Sequence, residues 1–288
     1  MELVSAIITT HNRANLLERA IKSVFGQTYK SIECIVIDDA STDNTKEICN
    51  RYPLQYVYIE KSKGGNYARN LGIKVAKGKY CAFLDDDDYW LPEKTEKEVC
   101  LIEQMDCEMV HCGRRMEYVY SNGVVYKNTL PKSDHWGDMH KKILLTNCLT
   151  TTSNILATRQ ALIDVGLFDE NLNFWQDYEL TIRLAQRKPI FFVNESLCVY
   201  RVDTRDKIRL TNKYDDWKKA ARYVYDKHAT LFNNLNWLEK ELVRLNYAAD
   251  ASRRARSSNK LLCSAYYSLL VWSRFLPARI AVKIKGIL

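Results

Sequence analysis

The sequence predicts an α/β fold, a mostly parallel central sheet flanked by helices, followed by a helical C-terminal extension. Three observations lead there. Short β-prone apolar runs alternate with amphipathic helical stretches through the first hundred residues, the rhythm of strand–helix–strand crossovers. Polar clusters at residues 9–13, 38–39 and 85–88 each follow an apolar run directly, as they do where a parallel sheet presents its ligand-binding edge. Beyond residue 210 only helical periodicity remains.

In chain order, the apolar run after Glu2 predicts a strand near 3–9, and the spacing of leucines and isoleucines behind it a helix near 14–26. Strands follow near 33–38 and 55–59. A helix begins after Gly64 and Gly65 and runs to about Lys77, then a strand covers 80–85. The next helix starts near Pro92, whose fixed φ suits a first helical turn. Within 109–128, Asn122-Gly123 between two β-prone runs is a strong hairpin signal and predicts an antiparallel ribbon beside the sheet. Helices are expected near 213–232, 235–250 and 258–274, with a short amphipathic piece at 277–287.

Composition sets the outer limits. With 288 residues, 47% apolar and 27% charged, and only 10 Gly and 5 Pro, the chain is neither collagen-like, low-complexity nor disordered, and it can bury an ordinary core. The net charge is +8, and residues 210–288 hold fifteen Lys/Arg against six Asp/Glu, more than the whole excess. Nine scattered cysteines form no CxxC pair, which points to a reducing compartment. Cys34 and Cys81, inside apolar runs, read as buried small hydrophobes. The N-terminus lacks the zones of a secretory signal, and the apolar stretch from Leu261 to Trp272 falls short of the ~20 residues that span a bilayer. A cytoplasmic protein without a transmembrane helix is expected.

The chemistry concentrates at the strand ends. Carboxylate oxygens such as those of Asp85, Asp86, Asp87 and Asp88 suit Mg2+ or Mn2+ bridging phosphates, and four adjacent carboxylates repel one another unless a cation neutralises them. The competing reading of that run is a solvated turn or helix cap, and of Asp39 an Asx-type turn before Ser41.

The strings VSAIITTHNR, IECIVIDDASTDNT, GGNYARNLGIKVAKGKYCAFLDDDD and FWQDYELTIRL, in this order and spacing, resemble family 2 inverting glycosyltransferases with the GT-A fold. The resemblance spans residues 3 to about 202. It implies that Thr9, His11 and Arg13 face a nucleotide, with His11 where the family often has an aromatic residue near the base. Asp39 would accept a hydrogen bond from that base, usually uracil. Arg69 would approach the nucleotide or its phosphates, for which a guanidinium fork is well shaped. The family's DxD element falls on Asp85, Asp86 and Asp87. It places Asp87 on the metal, Mn2+ or Mg2+, and Asp85 or Asp86 on the ribose or a nearby water.

The same resemblance makes Asp177 the base that takes the acceptor proton. Gln176 stands where the family's ED motif has its first acid, Glu179 is the fallback base, and a helix N-terminal charge is the alternative role of Asp177. Asp203, after Tyr200-Arg201, stands where relatives often have a histidine that helps hold metal or diphosphate. Arg205, Lys207 and Arg209 would neutralise phosphates or form a solvated basic loop. His135, Trp136 and His140 lie where such enzymes vary to fit acceptors.

The implied organisation is a catalytic domain over 1–209, with a nucleotide-sugar half at about 1–105 and an acceptor half at about 106–209, and a basic helical region over 210–288. Residues 251–288 carry eight Lys/Arg, no Asp/Glu, and Tyr266, Tyr267, Trp272 and Phe275 among them. This fits a helix lying on an anionic membrane surface. Packing on the catalytic domain or on a second subunit of a homo-oligomer is the alternative, and nothing in 1–209 resembles a nucleic-acid module.

The expected activity is metal-dependent, inverting transfer of a hexosyl or N-acetylhexosaminyl group. The donor would be a nucleotide sugar, a uridine diphosphate sugar by resemblance, and the acceptor a glycan or lipid-linked hydroxyl. The setting would be assembly of a cell-surface polysaccharide, O-antigen or glycolipid, with the protein peripheral on the inner face of the membrane. An inactive relative that binds nucleotide sugar or a partner is the rival. Lys63-Gly64-Gly65-Asn66 lacks the GxGxxG spacing of a dinucleotide site, and no glycine-rich triphosphate loop supports a nucleotidyltransferase.

Overall fold

The structure, a computed structural model, describes residues 1–132, 135–147, 151–204, 214–273 and 280. It divides into two compact units, one of residues 1–139, 148–172 and 176–205, the other of residues 140–147, 173–175 and 206–288.

The first unit opens with β1 (Val4–Thr10), α1 (Ala14–Phe25), β2 (Ile32–Asp38), α2 (Thr45–Cys49), β3 (Gln55–Tyr58), α3 (Gly65–Val75) and β4 (Tyr80–Asp85). It continues through β5 (Tyr89–Trp90), α4 (Lys94–Gln104), β6 (Met109–Tyr120) and β7 (Gly123–Thr129). In the second unit α5 spans Lys142–Leu145. Back in the first, a 3-10 turn at Thr152–Asn154 leads into β8 (Ile155–Thr158), α6 (Arg159–Asp164), α7 (Gln176–Ala185) and β9 (Ile190–Asp203).

The strands form one sheet in the order β3-β2-β1-β4-β8-β6-β9-β5, with β7 attached to β6. The first four are all parallel. β8 enters antiparallel between β4 and β6, β6 and β9 run parallel, and β5 pairs antiparallel with β9 and β7 with β6. β1 lies between β2 and β4, so the strand order reverses there, and the carboxyl ends of β1 and β4 form the edge at which an open sheet takes its ligands.

Alternation along β1 separates the two helical layers. Ala6 and Ile8 share a core with Leu17, Ile21 and Val24 of α1, whose i, i+4, i+7 spacing gives α1 one apolar face. Ile7 points the other way, against α3, where Gly72 lies so close that any Cβ would collide with the Ile7 side chain. Cys34 and Cys81 are buried as expected, and burial pushes both thiols up to about 12. The cysteines among the described residues are free.

The hairpin differs from expectation by one residue. Tyr120 pairs with Gly123, so the two-residue connection is Ser121-Asn122. Gly123, at φ 147°, uses its conformational freedom to open β7 rather than to form the turn.

The second unit adds α8 (Tyr214–Lys227), α9 (Ala229–Asn233), α10 (Trp237–Ser257) and α11 (Leu261–Ser273). The long helix expected over 213–232 is broken at His228, and α10 begins with a capping box made by Asn236 and Glu239. Trp217 is fully buried at the centre of an aromatic cluster, stacked on Tyr247 and met edge-on by Trp175, with the Arg254 guanidinium over its ring. α11 packs through Tyr267, Leu270 and Val271 on Leu242, Leu245 and Ala248 of α10. Its opposite side leaves Leu262, Tyr266, Leu269 and Trp272 exposed. Among the described residues no helix is long and apolar enough to cross a membrane. The expected piece at 277–287, apart from residue 280, and Phe275 lie outside the described residues.

Candidate active site

The carboxyl ends of β1 and β2 are shaped by two non-glycine residues in the left-handed region, Asn12 (φ 54°) and Ala40 (φ 66°). Such strain persists only where neighbours over-determine it, and it collects at ligand sites. Here the Asn12 N–H donates to Ser41 Oγ (2.8 Å), the Thr42 N–H to Asn12 Oδ1 (2.8 Å) and the Ser41 N–H to Asp38 Oδ1 (2.8 Å). His11 Nδ1 donates to the Asp39 carbonyl at 2.6 Å, which leaves Nε2 as the acceptor facing Asn12 Nδ2 at 3.2 Å.

Of the two adjacent acids, Asp38 closes this turn and takes the Tyr56 hydroxyl at 2.7 Å. Asp39, the expected base-binding residue, is buried and already accepts three hydrogen bonds, from Ser62 Oγ (2.7 Å), the Lys63 N–H (2.7 Å) and the Gly64 N–H (2.8 Å). In this structure it fastens the loop before α3 to the end of β2. Thr9 stands in register with Asp85 across the β1–β4 pair.

The acidic run resolves into four different environments. Asp85, the last residue of β4, pairs with Arg69 Nη2 at 2.6 Å. Asp86 and Asp87 share Arg13 Nη1 at 3.0 and 3.1 Å. Asp88 turns into the core, where it accepts from Ser153 Oγ (2.7 Å) and the Arg201 N–H (3.1 Å). Burial first, and its acidic neighbours next, raise its proton affinity well above the ordinary range. Within this arrangement Arg13 and Arg69 pair with three of the four carboxylates, and the fourth, Asp88, is buried. Burial also pushes Asp86 up to about 6, against the pull of Arg13.

The side chains of Asp85 and Asp87 each keep 29% of their surface exposed. As oxygen donors they suit a hard cation that completes its shell with phosphate oxygens and water. Among the described residues no group of three or more His, Cys, Asp or Glu is gathered to hold a metal.

Asp177 lies in the first turn of α7, with the Tyr178 N–H on its Oδ1 at 2.8 Å. Burial raises its pKa above the ordinary carboxylate range, Arg69 pulls it back down, and Asp85 adds to the rise. Asp177, Arg69 and Asp85 are thus mutual electrostatic neighbours. Glu179, the fallback base, is fully buried and bound to Arg183 through both carboxylate oxygens. Asp203 pairs with Arg201 at 3.6 Å. Arg205, Lys207 and Arg209 lie outside the described residues.

Trp136 and His135 lie in the segment just before Gly137. Gly137 bridges Ile190, which registers with Met109, then Ala157, then Cys81, four residues before Asp85. The Trp136 ring packs edge-on against Phe191 and Phe192, and Phe192 registers with His111. His140 belongs to the second unit.

Several supporting residues escaped the sequence reading. Arg19 donates to the Asp87 carbonyl (2.8 Å) and to Glu117 (3.0 Å), and Asn66 and Asn70 on α3 bind the segment 168–172. The i, i+4 spacing of the two asparagines, on the helix face that also carries Arg69, was the available signal.

Residues 5–172 match the family model described as glycosyl transferase family 2. A glycosyltransferase of Rickettsia prowazekii is 32% identical over 228 residues, 74% of this chain and 70% of its own length. The Escherichia coli UDP-Glc:alpha-D-GlcNAc-diphosphoundecaprenol beta-1,3-glucosyltransferase WfaP is 42% identical over 106 residues, 36% of this chain and 42% of its own. Among solved structures, S. aureus TarS 1-349 in complex with UDP superposes with a TM-score of 0.62 at 21% identity, over 88% of this chain and 72% of that one, a likeness of fold. With its family match across the β1 to β4 edge and its sheet order, this chain belongs to glycosyl transferase family 2 and has the GT-A fold.

Proposed function

We propose that the protein transfers a sugar from a nucleotide donor, a uridine diphosphate sugar, to an acceptor hydroxyl with inversion. The acceptor oxygen forms a bond to the anomeric carbon while the bond from that carbon to the diphosphate oxygen breaks. The hydroxyl proton passes to Asp177, and the nucleoside diphosphate leaves. One observation carries this reading, the Asp177 carboxylate in the first turn of α7 within electrostatic reach of Arg69, which pairs with Asp85 at the carboxyl end of β4. In this reading the carboxylate serves as the base and the guanidinium as the phosphate-binding cation.

In this reading Arg13 and Arg69 meet the diphosphate, and Thr9, His11 and Asp39 line the nucleoside. Asp87, with Asp85 and Asp86 beside it, would hold Mn2+ or Mg2+, which when bound offsets charge on the leaving diphosphate. The names of WfaP and of the TarS complex support a uridine nucleotide, and that of WfaP a lipid-linked acceptor in cell-surface glycan assembly.

The exposed side of α11, with Leu262 88% exposed, followed in sequence by Arg274, Arg279, Lys283 and Lys285 with no acid, supports an anionic lipid surface as its partner. The full chain should sediment with vesicles containing phosphatidylglycerol and not with phosphatidylcholine alone, and equal binding to both contradicts the electrostatic part.

Asp177→Asn tests the catalytic reading. Transfer should fall at least ~100-fold with donor affinity retained, whereas full turnover in this variant overturns it and full donor binding without turnover in the native protein favours an inactive relative.

A further inference from the structure

We propose that Asn66 is a positioning residue that ties Arg69 to the turn at 168–172, coupling the donor-side guanidinium to the segment that leads into α7. The proposal rests on the roles assigned above to Arg69 and Asp177.

Asn66 is buried, and both its amide hydrogens and its amide oxygen are engaged. Nδ2 donates to the carbonyls of Asp169 (2.8 Å) and Leu172 (2.6 Å), and Oδ1 accepts from Arg69 Nη1 at 3.0 Å. A primary amide has two N–H donors and one carbonyl, so a single side chain joins two backbone carbonyls of the turn to the guanidinium. The other arm of Arg69 is on Asp85 at 2.6 Å. The guanidinium therefore has two anchors, a carboxylate on the nucleotide side and an amide that also grips the turn. Phe168, at the start of the turn, places its ring 5.7 Å from the guanidinium.

The turn needs such support. It is entered through Leu167 at φ 65°, a left-handed conformation that a leucine holds only under external constraint. Asn70, one helical turn after Asn66, supplies part of that constraint, exchanging two hydrogen bonds of 2.9 Å with the backbone of Phe168. Unlike Asn66, Asn70 makes no hydrogen bond to Arg69, so the pair separates bracing the turn from placing the arginine.

The experiment compares Asn66→Ala, Asn70→Ala, Arg69→Lys and Asn66→Ala/Arg69→Lys by steady-state transfer and thermal melting. Both asparagine variants should lower the melting temperature. Asn66→Ala should reduce kcat by about 10- to 30-fold with donor KM within about threefold, and Asn70→Ala should leave kcat within about threefold. Because Asn66 acts through Arg69, adding Asn66→Ala to Arg69→Lys should cost less than about threefold more. Equal kcat losses in the two asparagine variants, or an additive double variant, overturn the proposal and reduce Asn66 to a brace. Native-like turnover in Asp177→Asn would instead reject the underlying catalytic reading, whatever Asn66→Ala does.

Discussion

Asp39→Asn is the substitution whose consequence the structure defines most sharply. One carboxylate oxygen takes the Lys63 N–H, and the other takes both the Gly64 N–H and Ser62 Oγ. An asparagine offers one acceptor oxygen and one amide nitrogen. The serine hydroxyl can rotate to accept from that nitrogen, but in either amide orientation one backbone N–H faces a donor at less than 3 Å. The loss comprises one orphaned buried N–H and the charge assistance to the remaining bonds, together about 2–4 kcal/mol. The effect is local, so hydrogen exchange at Lys63 and Gly64 is the appropriate assay. Their amides should exchange at least ~30-fold faster than in the native protein, at about 1.4 kcal/mol per tenfold, while amides of β1 are unaffected. UDP binding should weaken as well, since the loop leads into α3 and Arg69. Unchanged exchange at both amides would refute the claim that Asp39 holds this loop.

Three further outcomes are expected. Lys94 and Glu98 form a pair of 2.6 Å at 0% exposure beside the Trp90 ring, so Lys94→Met should cost about 3–5 kcal/mol in denaturant unfolding and Lys94→Met/Glu98→Leu should recover most of it. An equally unstable double variant would contradict this. His111 is fully buried and its pKa is lowered to about 4 from 6.5. The folded state therefore loses about 3 kcal/mol of stability as pH falls from 6.5 toward 4, and the stability of the native protein relative to His111→Leu should drop over that window rather than stay constant. Finally, burial raises the Asp177 pKa while Arg69 lowers it. The acid limb of kcat/KM should then move to higher pH in Arg69→Met, and an unmoved limb would separate Arg69 from the base.

How much of this was legible in the sequence depends on the range of the interaction. β1, α1 and β4 could be placed almost to the residue, because alternation of Ile7 and Ile8 and the spacing of Leu17, Ile21 and Val24 are local signals. Thr9, Arg13, Asp39, Arg69, Asp85 and Asp87 could be put forward as candidates because they sit directly after apolar runs or inside recognisable strings. What each of these side chains touches could not be read. The partners of Asp39 come from residues 62–64, and those of Asp88 from residues 153 and 201. The mixed half of the sheet was equally opaque. β8 inserts between β4 and β6 through antiparallel pairs made across about 45 to 80 residues of chain, and no local periodicity encodes such a neighbour.

The central claim is that the carboxyl edge of β1 and β4 binds and consumes a nucleotide sugar. The direct measurement is a donor panel of uridine, guanosine and thymidine diphosphate sugars with Mn2+ or with chelator, read by release of nucleoside diphosphate in the presence of acceptor extract and by thermal shift. The account predicts stabilisation and turnover with the uridine donors, dependent on the cation and lost in Asp87→Ala. No shift and no nucleoside diphosphate release with any donor would contradict it.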